Sequence, residues 1–504
     1  MANATRRVGF VSGRAYLTRR ALHATLLVMQ AADLPMKTTR ELRISTRPLN
    51  LSNRDPSTMR RTLSSFTWLL AGDKKKIECP RIYLDGWFDG APPVFEGSGT
   101  LMVSGTTDFS FHMHARPHQE VDAMNALRLA SEQRYDPKTA FRLRAVDYSG
   151  TEWNGGWVRP GLGELQSGYW QLVGVSDGLS TVVQQTIPTS GVELVYSPAP
   201  DLPFSESITT AHIGDTEIGS RTSGGRHSFN VLGSDIEVST EPWSNELWVI
   251  ASANADLNHP YLENWLSEPL RALRGQLIFP RLVARNFADG RAFVSLRQAP
   301  TLRGSLGGCA TQLRAKSAPE FWEFYERYLT YIARHRAKDG HPEFEANPMT
   351  RFHEEVIQAH LAGSHWVLAL CVASAIEGIV RLGLDFKATL SEFSAEEVSP
   401  VERFLKELKL DSLRDKLNSM VAQLGKPSVA RYLSNLAAVG HVDKDHVAAW
   451  KRIRNRVAHG NLFEPWGTQD EDAQLVKLVE LLYRLTALRI VYLTDKTSST
   501  AQDK

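Results

Sequence analysis

The chain has 504 residues, more than one hydrophobic core usually holds, so two or three domains are expected. It is 42% hydrophobic and 23% charged, with a formal net charge of +2, which excludes a uniformly basic nucleic-acid-binding body and leaves only a local patch for that role. The three cysteines, Cys79, Cys309 and Cys371, form no CxxC pair, which argues against a disulfide framework and favours a reducing, cytoplasmic location.

The first 35 residues form a basic extension, with five arginines and a single acid, Asp33. Such a segment is typical of a transit peptide, and it also arises when a start codon is assigned too early, with Met36 as the true first residue. No apolar run reaches the roughly 20 residues that a membrane helix needs. The nearest candidate, 366–376, stops at Glu377, so no membrane association is expected.

Residues 36–300 are predicted to form a β-rich domain. Short aromatic and apolar runs recur at 82–84, 100–103, 109–113, 141–146 and 169–175. Turn signals bound them at Asp85-Gly86, Asp89-Gly90, Ser149-Gly150, Asn154-Gly155-Gly156 and Ser176-Asp177-Gly178. Strands at such short intervals are typical of an antiparallel sandwich or barrel. One helix is expected over 260–274, before a last hairpin that turns at Asp289-Gly290.

Two features of this region resemble ligand-binding sites, but we predict that neither of them is one. His112, His114 and His118 suggest a metal, but no nearby acid or cysteine completes the set, so ordinary surface histidines and no metal site are expected. The glycines before Trp157 are predicted to form a turn with a packed tryptophan rather than a phosphate loop.

A linker is expected over 301–316, followed by an all-helical domain over 317–495 and a polar tail over 496–504. Ser317 and Glu320 form a capping box ahead of an apolar stripe, and Gly340 is expected to end that helix. Asn347-Pro348 opens a long helix that is predicted to run to about Leu382. Further helices are predicted at 399–410, 411–423, 427–438, 444–459 and 470–494. The fold class is therefore α+β and multidomain, with a β-rich part followed by a helical bundle.

Two helices carry the candidate chemistry. Glu377 lies in a segment that is apolar all round, so its carboxylate needs a partner. In the helix 444–459, capped by Asp443 or Asp445, four apolar residues fall on one face: Val447, Trp450, Ile453 and Val457. Arg454 borders this face and is expected to form a buried ion pair with Glu377 inside the bundle. Asn455 and His459 point outward together, and Gly460 suits the helix end.

These residues resemble the HEPN superfamily, whose ribonuclease members carry an arginine, four to six residues and a histidine. Arg454-Asn455-x-x-x-His459 matches that motif, and Glu377 resembles the family's earlier acidic position. The layout of a β-rich domain before a helical one is similar to antiphage proteins of the ApeA type. The bacterial character of that family favours Met36 as the first residue.

The resemblance implies a metal-independent RNA endonuclease without a cofactor, acting as a toxin or antiphage defence effector. Arg454, Asn455, His459 and Glu377 would be catalytic, and Lys451, Arg452 and Arg456 would bind RNA. It also implies a homodimer through the helical domain, and an unknown trigger that the β-rich domain senses.

The alternative is a non-catalytic HEPN protein that serves for dimerisation or nucleotide binding. In that case Arg454 is only an ion-pair partner, His459 is a histidine stabilised by the helix dipole, and the basic residues are a solvated face.

Overall fold

The computed structural model describes residues 62–502 except 71–73, 88–91, 167–168, 186–188, 205–206, 214–215, 224, 242–243, 301, 303, 307–316, 337–341, 343–346, 384–394, 408–410, 425–427 and 462–466. The basic extension 1–35, Met36, the turn at Asp89-Gly90 and the helix end at Gly340 lie outside the described residues. No helix within the described part is long and apolar enough to cross a membrane.

The described chain contains sixteen strands and ten α-helices, numbered here in chain order. The strands are β1 (Lys74–Asp85), β2 (Pro93–Ser104), β3 (Asp108–Pro117), β4 (Phe141–Val146), β5 (Glu152–Val158), β6 (Gly161–Gln166), β7 (Tyr169–Ser176), β8 (Gly178–Gln184), β9 (Gly191–Tyr196), β10 (Ser207–Ile213), β11 (Thr216–Ser223), β12 (Arg226–Val231), β13 (Ser234–Glu241), β14 (Glu246–Ser252), β15 (Leu282–Asn286) and β16 (Arg291–Arg297). The helices are α1 (Glu120–Glu132), α2 (Leu262–Arg274), α3 (Ala318–Arg334), α4 (Pro348–Leu361), α5 (His365–Arg381), α6 (Ala395–Glu407), α7 (Asp411–Leu424), α8 (Val429–Ala438), α9 (Lys444–Ala458) and α10 (Gln469–Gln502).

The chain divides into two compact units. The first comprises the described residues up to Ser197 together with Ile250–Ser252 and Pro280–Pro300. The second comprises Pro198–Val249, Ala253–Phe279 and the chain from Thr301 onward. Part of the predicted β-rich domain, including α2, therefore groups with the helices rather than with the remaining strands.

The first unit is an antiparallel sheet with the strand order β9-β15-β16-β8-β5-β4-β1-β2-β3-β7-β6. Alternation explains its core: in β3, Phe109, Phe111 and Met113 are buried, whereas His112 and His114 between and beyond them face outward. Each of the five predicted strand runs lies within a strand, and the predicted antiparallel pairing is confirmed.

The predicted turn at Asn154-Gly155-Gly156 is wrong, because these residues lie inside β5. Opposite them the register with β4 jumps from Leu143↔Gly156 to Arg144↔Asn154, so Gly155 is the extra residue of a bulge. Gly156 has a φ of +71°, and the Asn154 side chain accepts its N–H at 2.9 Å. An Asn-Gly pair indicates that the backbone changes direction locally, and it does so in a bulge as well as in a turn.

Helix α1 interrupts the strands where no helix is expected from the sequence. Its buried positions are Ala123, Leu127 and Ala130, a narrow stripe in which two of the three side chains are methyl groups. Small residues contribute little to a hydrophobic pattern, and the larger apolar residues Val121 and Met124 are exposed, so the pattern of large apolar residues does not mark the buried face.

In the second unit, several helix ends form as their sequences predict. Ser317 and Glu320 make the reciprocal bonds of a capping box at α3, and the Asn347 side chain caps α4. The single long helix predicted from Asn347 to Leu382 is wrong, since it is divided into α4 and α5. Gly363 adopts a φ of +71°, and Ser364 caps the new helix through the N–H of Val367.

A buried carboxylate joins α2 to α4. The Glu268 side chain is fully buried, and it accepts hydrogen bonds from the Asn347 N–H at 3.1 Å and the Thr350 hydroxyl at 2.7 Å. Burial raises the pKa of Glu268 to about 7, although Arg271 and Thr350 oppose that rise. Because its pKa is raised in the folded state, Glu268 favours folding less as the pH rises from about 4.5 to 7.

A buried histidine makes the opposite contribution. His353 is fully buried on α4, its Nε2 lies 2.9 Å from the Thr486 hydroxyl, and burial lowers its pKa from the ordinary 6.5 to about 3. The folded state keeps this ring neutral, so unfolding takes up a proton between pH 6.5 and 3. Stability from this group is complete above about pH 6.5 and is lost as the pH falls.

Replacement of His353 should therefore remove part of the acid sensitivity of the second unit. The difference in unfolding free energy between wild type and His353→Gln should shrink by about 1.4 kcal/mol for each pH unit below 6.5. Urea unfolding at several pH values measures this difference, and His441→Gln, at an exposed histidine of the same unit, is the matched control. A difference that stays constant from pH 7 to 4 would contradict the assignment of a buried neutral ring.

Candidate active site

Helix α9 is oriented by one buried face. The Asp443 side chain caps it by accepting the Asp445 N–H at 2.6 Å. The predicted apolar stripe is confirmed, since four side chains on this face are between 1% and 8% exposed: Val447, Trp450, Ile453 and Val457. The Trp450 indole also donates to the Ala373 carbonyl of α5 at 3.4 Å. This face fixes which residues of α9 point away from the helices behind it.

The C-terminal end of α9 presents the motif to solvent. Asn455 and His459 are both exposed, as predicted from their positions on the helix. His459 is the C-cap residue, and Gly460 follows with a φ of +72°. The Gly460 N–H donates to Val457 at 3.1 Å, and the next N–H donates to the Arg456 carbonyl at 3.1 Å. These two bonds form a Schellman motif, which closes the helix directly after the histidine.

Arg454 lies against Glu377, as the sequence predicts. Its Nε is 3.1 Å from Glu377 Oε1, and Arg381 approaches the other carboxylate oxygen of Glu377 at 3.4 Å. The expectation that this pair is buried is wrong, because the Arg454 side chain is 49% exposed and that of Glu377 is 23% exposed.

The reason lies in α5, which is not buried around its whole circumference. Leu370, Ser374 and Arg381 are exposed, and they define one open stripe that also contains Glu377. Breaking a buried ion pair from one side costs about 3–5 kcal/mol, whereas an exposed pair contributes about 0–1 kcal/mol. The Glu377–Arg454 pair belongs to the second class, so it orients Arg454 without adding much to stability.

The three basic residues around the motif have different surroundings. Lys451 Nζ donates to the Ser434 hydroxyl at 3.0 Å, and both it and Arg452 stay exposed. Arg452 lies 3.8 Å from Asp470, with both side chains about 70% exposed, so this contact is weak. Arg456 instead forms a 2.6 Å ion pair with Glu471, and its charge is largely engaged there.

Glu471 holds the end of α9 to the start of α10. Besides accepting from Arg456, its side chain accepts the Thr468 N–H at 3.0 Å, and the Glu471 N–H donates to the Thr468 hydroxyl at 3.3 Å. Burial raises the pKa of Glu471, but the hydrogen bonds from Arg456 and Thr468 outweigh that effect and lower it overall. Sequence reasoning missed this residue, although Thr468-x-x-Glu471 is the pattern of a capping box.

A second histidine lies at the same end of α10. His365, the first residue of α5, has its Nδ1 3.5 Å from the Asp472 carboxylate, and its side chain is 33% exposed. Asp472 directly follows Glu471, so the pair lies near the residues that anchor the end of α9. No sequence signal pointed to it, since the two residues are far apart in the chain.

The histidines of β3 were predicted to be ordinary surface residues. His112 and His114 face outward on β3, with ring centroids 4.9 Å apart. Within the described ranges there is no group of three or more histidine, cysteine or acidic residues placed to hold a metal ion.

Comparison of the chain with protein-family models finds no match, and neither does comparison with curated proteins or with solved structures.

The two ion pairs at this site should differ in their effect on stability. Glu471→Ala removes an N-terminal cap and a charged hydrogen bond, so we expect a loss of about 2 kcal/mol. Glu377→Ala removes a half-exposed pair, and we expect a loss of at most about 1 kcal/mol. Urea unfolding of both variants measures the difference. An equal or larger loss for Glu377→Ala would show that the Glu377 pair is shielded from solvent.

Proposed function

We propose that the helical part of the second unit is a HEPN-type endoribonuclease that cleaves RNA without a metal, acting as a toxin or antiphage effector. In this proposal the β-rich region senses a trigger or restrains the nuclease. The observation that supports it is the exposed end of α9, where Asn455 and His459 face solvent and Arg454 is oriented by Glu377.

The proposed reaction uses the substrate's own 2′-hydroxyl as the nucleophile. A base removes its proton, the 2′ oxygen bonds to the adjacent phosphorus, and the bond from phosphorus to the 5′ oxygen breaks. An acid then supplies a proton to that leaving oxygen, which gives a 2′,3′-cyclic phosphate and a 5′-hydroxyl. His459 is suited to either proton transfer because an imidazole ring can both accept and donate a proton.

Arg454 is suited to the charge of the five-coordinate phosphorus. It contacts Glu377 through Nε, and among the described residues no other partner occupies its two terminal nitrogens. Those nitrogens can donate to phosphate oxygens while the carboxylate holds the guanidinium plane. Asn455, one residue further along α9, can donate to the phosphate or orient the histidine.

RNA cleavage that survives EDTA is the main expected result. The products should carry 2′,3′-cyclic phosphate or 3′-phosphate ends, as end-group analysis of total RNA with and without chelator would show. Products with 5′-phosphates, or activity that EDTA abolishes and magnesium restores, would overturn the proposed reaction.

Variants assign the roles of the individual residues. General acid-base catalysis contributes about 10²–10⁴-fold, so His459→Ala should lose at least about 100-fold in rate with little change in stability. Arg454→Ala should lose a similar factor, and Asn455→Ala less. His441→Ala, at another exposed histidine of the unit, is the matched control and should keep full activity.

A homodimer through the helical bundle is also expected. One motif per chain offers one exposed histidine at the end of α9, whereas the reaction needs both a base and an acid. Two chains that face each other across a two-fold axis would place two copies of His459 in one cleft. Light scattering at the protein concentrations of the activity assay should give twice the mass of one chain. An active monomer would contradict this part of the proposal.

Growth of expressing cells separates the nuclease from a non-catalytic interaction protein. Wild-type expression should be toxic and His459→Ala harmless at equal protein level. Equal toxicity of the two would favour an interaction protein whose helical bundle serves for dimerisation or nucleotide binding.

A further inference from the structure

The outward face of the first unit carries a row of charged and aromatic side chains across adjacent strands. The register places Arg144 of β4 opposite Tyr83 of β1, Tyr83 opposite Glu96 of β2, and Glu96 opposite Arg116 of β3. Tyr169 of β7 is next in the row, because its neighbour Trp170 pairs with the residue before Arg116. Four strand spacings of about 4.8 Å make this row about 19 Å long.

Each tyrosine in the row is covered by an arginine. The Arg116 guanidinium lies 4.4 Å from the centre of the Tyr169 ring and also donates to its hydroxyl. The Arg144 guanidinium lies 5.1 Å from the centre of the Tyr83 ring, and Asp85 holds it through a hydrogen bond of 3.0 Å. Two flat cationic surfaces are thereby fixed on the sheet, facing outward.

A groove runs beside this row, with a volume of about 620 Å³. The residues that line it include Arg81, Ser98, His114, Arg116, His118 and Tyr169. Among the described residues that line it, Glu96 is the one acidic side chain, against two arginines. Arg81 is exposed, and within the described part of the chain no acidic side chain pairs with it. The groove therefore carries a local positive charge, although the whole chain is nearly neutral.

We propose that this face of the sheet, from β4 to β7, binds a single-stranded nucleic acid. Arg81 and Arg116 would contact phosphates along the groove, and the stacked arginine–tyrosine pairs would offer planes on which unpaired bases stack. Guanidinium and phenol planes both stack on bases, and a flat sheet commonly accommodates two or three of them. In a duplex the bases stack on one another. A duplex could therefore bind the arginine charges of this face through its phosphates, but its bases could not stack on the arginine and tyrosine side chains.

The binding role does not depend on the nuclease, since every residue named for it belongs to the first unit. RNA and DNA single strands share the required chemistry. The length of the row suits about three nucleotides, and neither the proposed phosphate contacts nor the proposed stacking contacts depend on a 2′-hydroxyl.

Fluorescence anisotropy of the full chain carrying His459→Ala is the test, with labelled twelve-nucleotide uridine RNA, thymidine DNA and a DNA duplex of equal length as probes. Both single strands should bind more tightly than the duplex, and the dissociation constant should rise steeply with salt. If only the RNA binds, the 2′-hydroxyl contributes to recognition and the shared-strand proposal is overturned in favour of an RNA-specific site.

Variants of the face decide whether binding occurs there. Arg81→Glu with Arg116→Glu should weaken binding about tenfold or more and reduce the salt slope by about 1.4, which corresponds to two phosphate contacts. Tyr169→Ala should weaken binding about 5- to 150-fold, the range of a lost stacking contact. Ser98→Lys, which adds a charge within the groove, should tighten binding without removing any contact.

Matched controls lie on the same unit away from the groove. Arg134→Glu and Tyr135→Ala change exposed residues just beyond α1 and should leave the dissociation constant unchanged. If the face variants bind as wild type does, while Lys451→Glu in α9 weakens binding, the nucleic-acid site belongs to the second unit alone. That result would overturn the proposal for the sheet and leave the proposed nuclease intact. Absence of binding to every probe would also overturn it.

Discussion

The burial of one face of α9 is the constraint on which the candidate active site depends. Once Trp450 and Ile453 pack inward, the 100° step of the helix fixes the direction of every other side chain. Asn455 and His459 must then face solvent, and Arg454 must lie at the border, where Glu377 reaches it. The directions of Asn455 and His459 therefore follow from the hydrophobic packing behind them, and the ion pair with Glu377 orients Arg454.

The parts that were predictable from the sequence are local. The capping residues Ser317 and Asn347 and the stripe on α9 each involve residues within a few positions of one another, where helical geometry leaves little choice. The Glu377–Arg454 contact is the exception, because it spans two helices. It was predictable because a carboxylate in an apolar segment needs a partner, but its exposure was not, since exposure depends on which other helices cover α5.

The predictions that were wrong concern features that depend on residues far apart in the chain or on sequence patterns compatible with two structures. Gly363 resembles any helical glycine in the sequence, yet its left-handed conformation divides the predicted long helix. The sequence around Gly155 is compatible with a turn and with a bulge, and only the register with β4 distinguishes the two. Arg456, one of the three residues predicted to bind RNA, is engaged by Glu471, and nothing in the sequence near Arg456 indicated this ion pair.

The exposure of Asn455 and His459 has a consequence for how mutations at these positions would act. Because the side chains of Asn455 and His459 are exposed, a chain that has lost them would fold as well as an intact chain. If the working form is a dimer that needs a histidine from each chain, a defective copy would capture an intact one in an inactive pair. In that case a single altered gene copy would inhibit its normal counterpart, and loss of the proposed activity would need neither unfolding nor degradation.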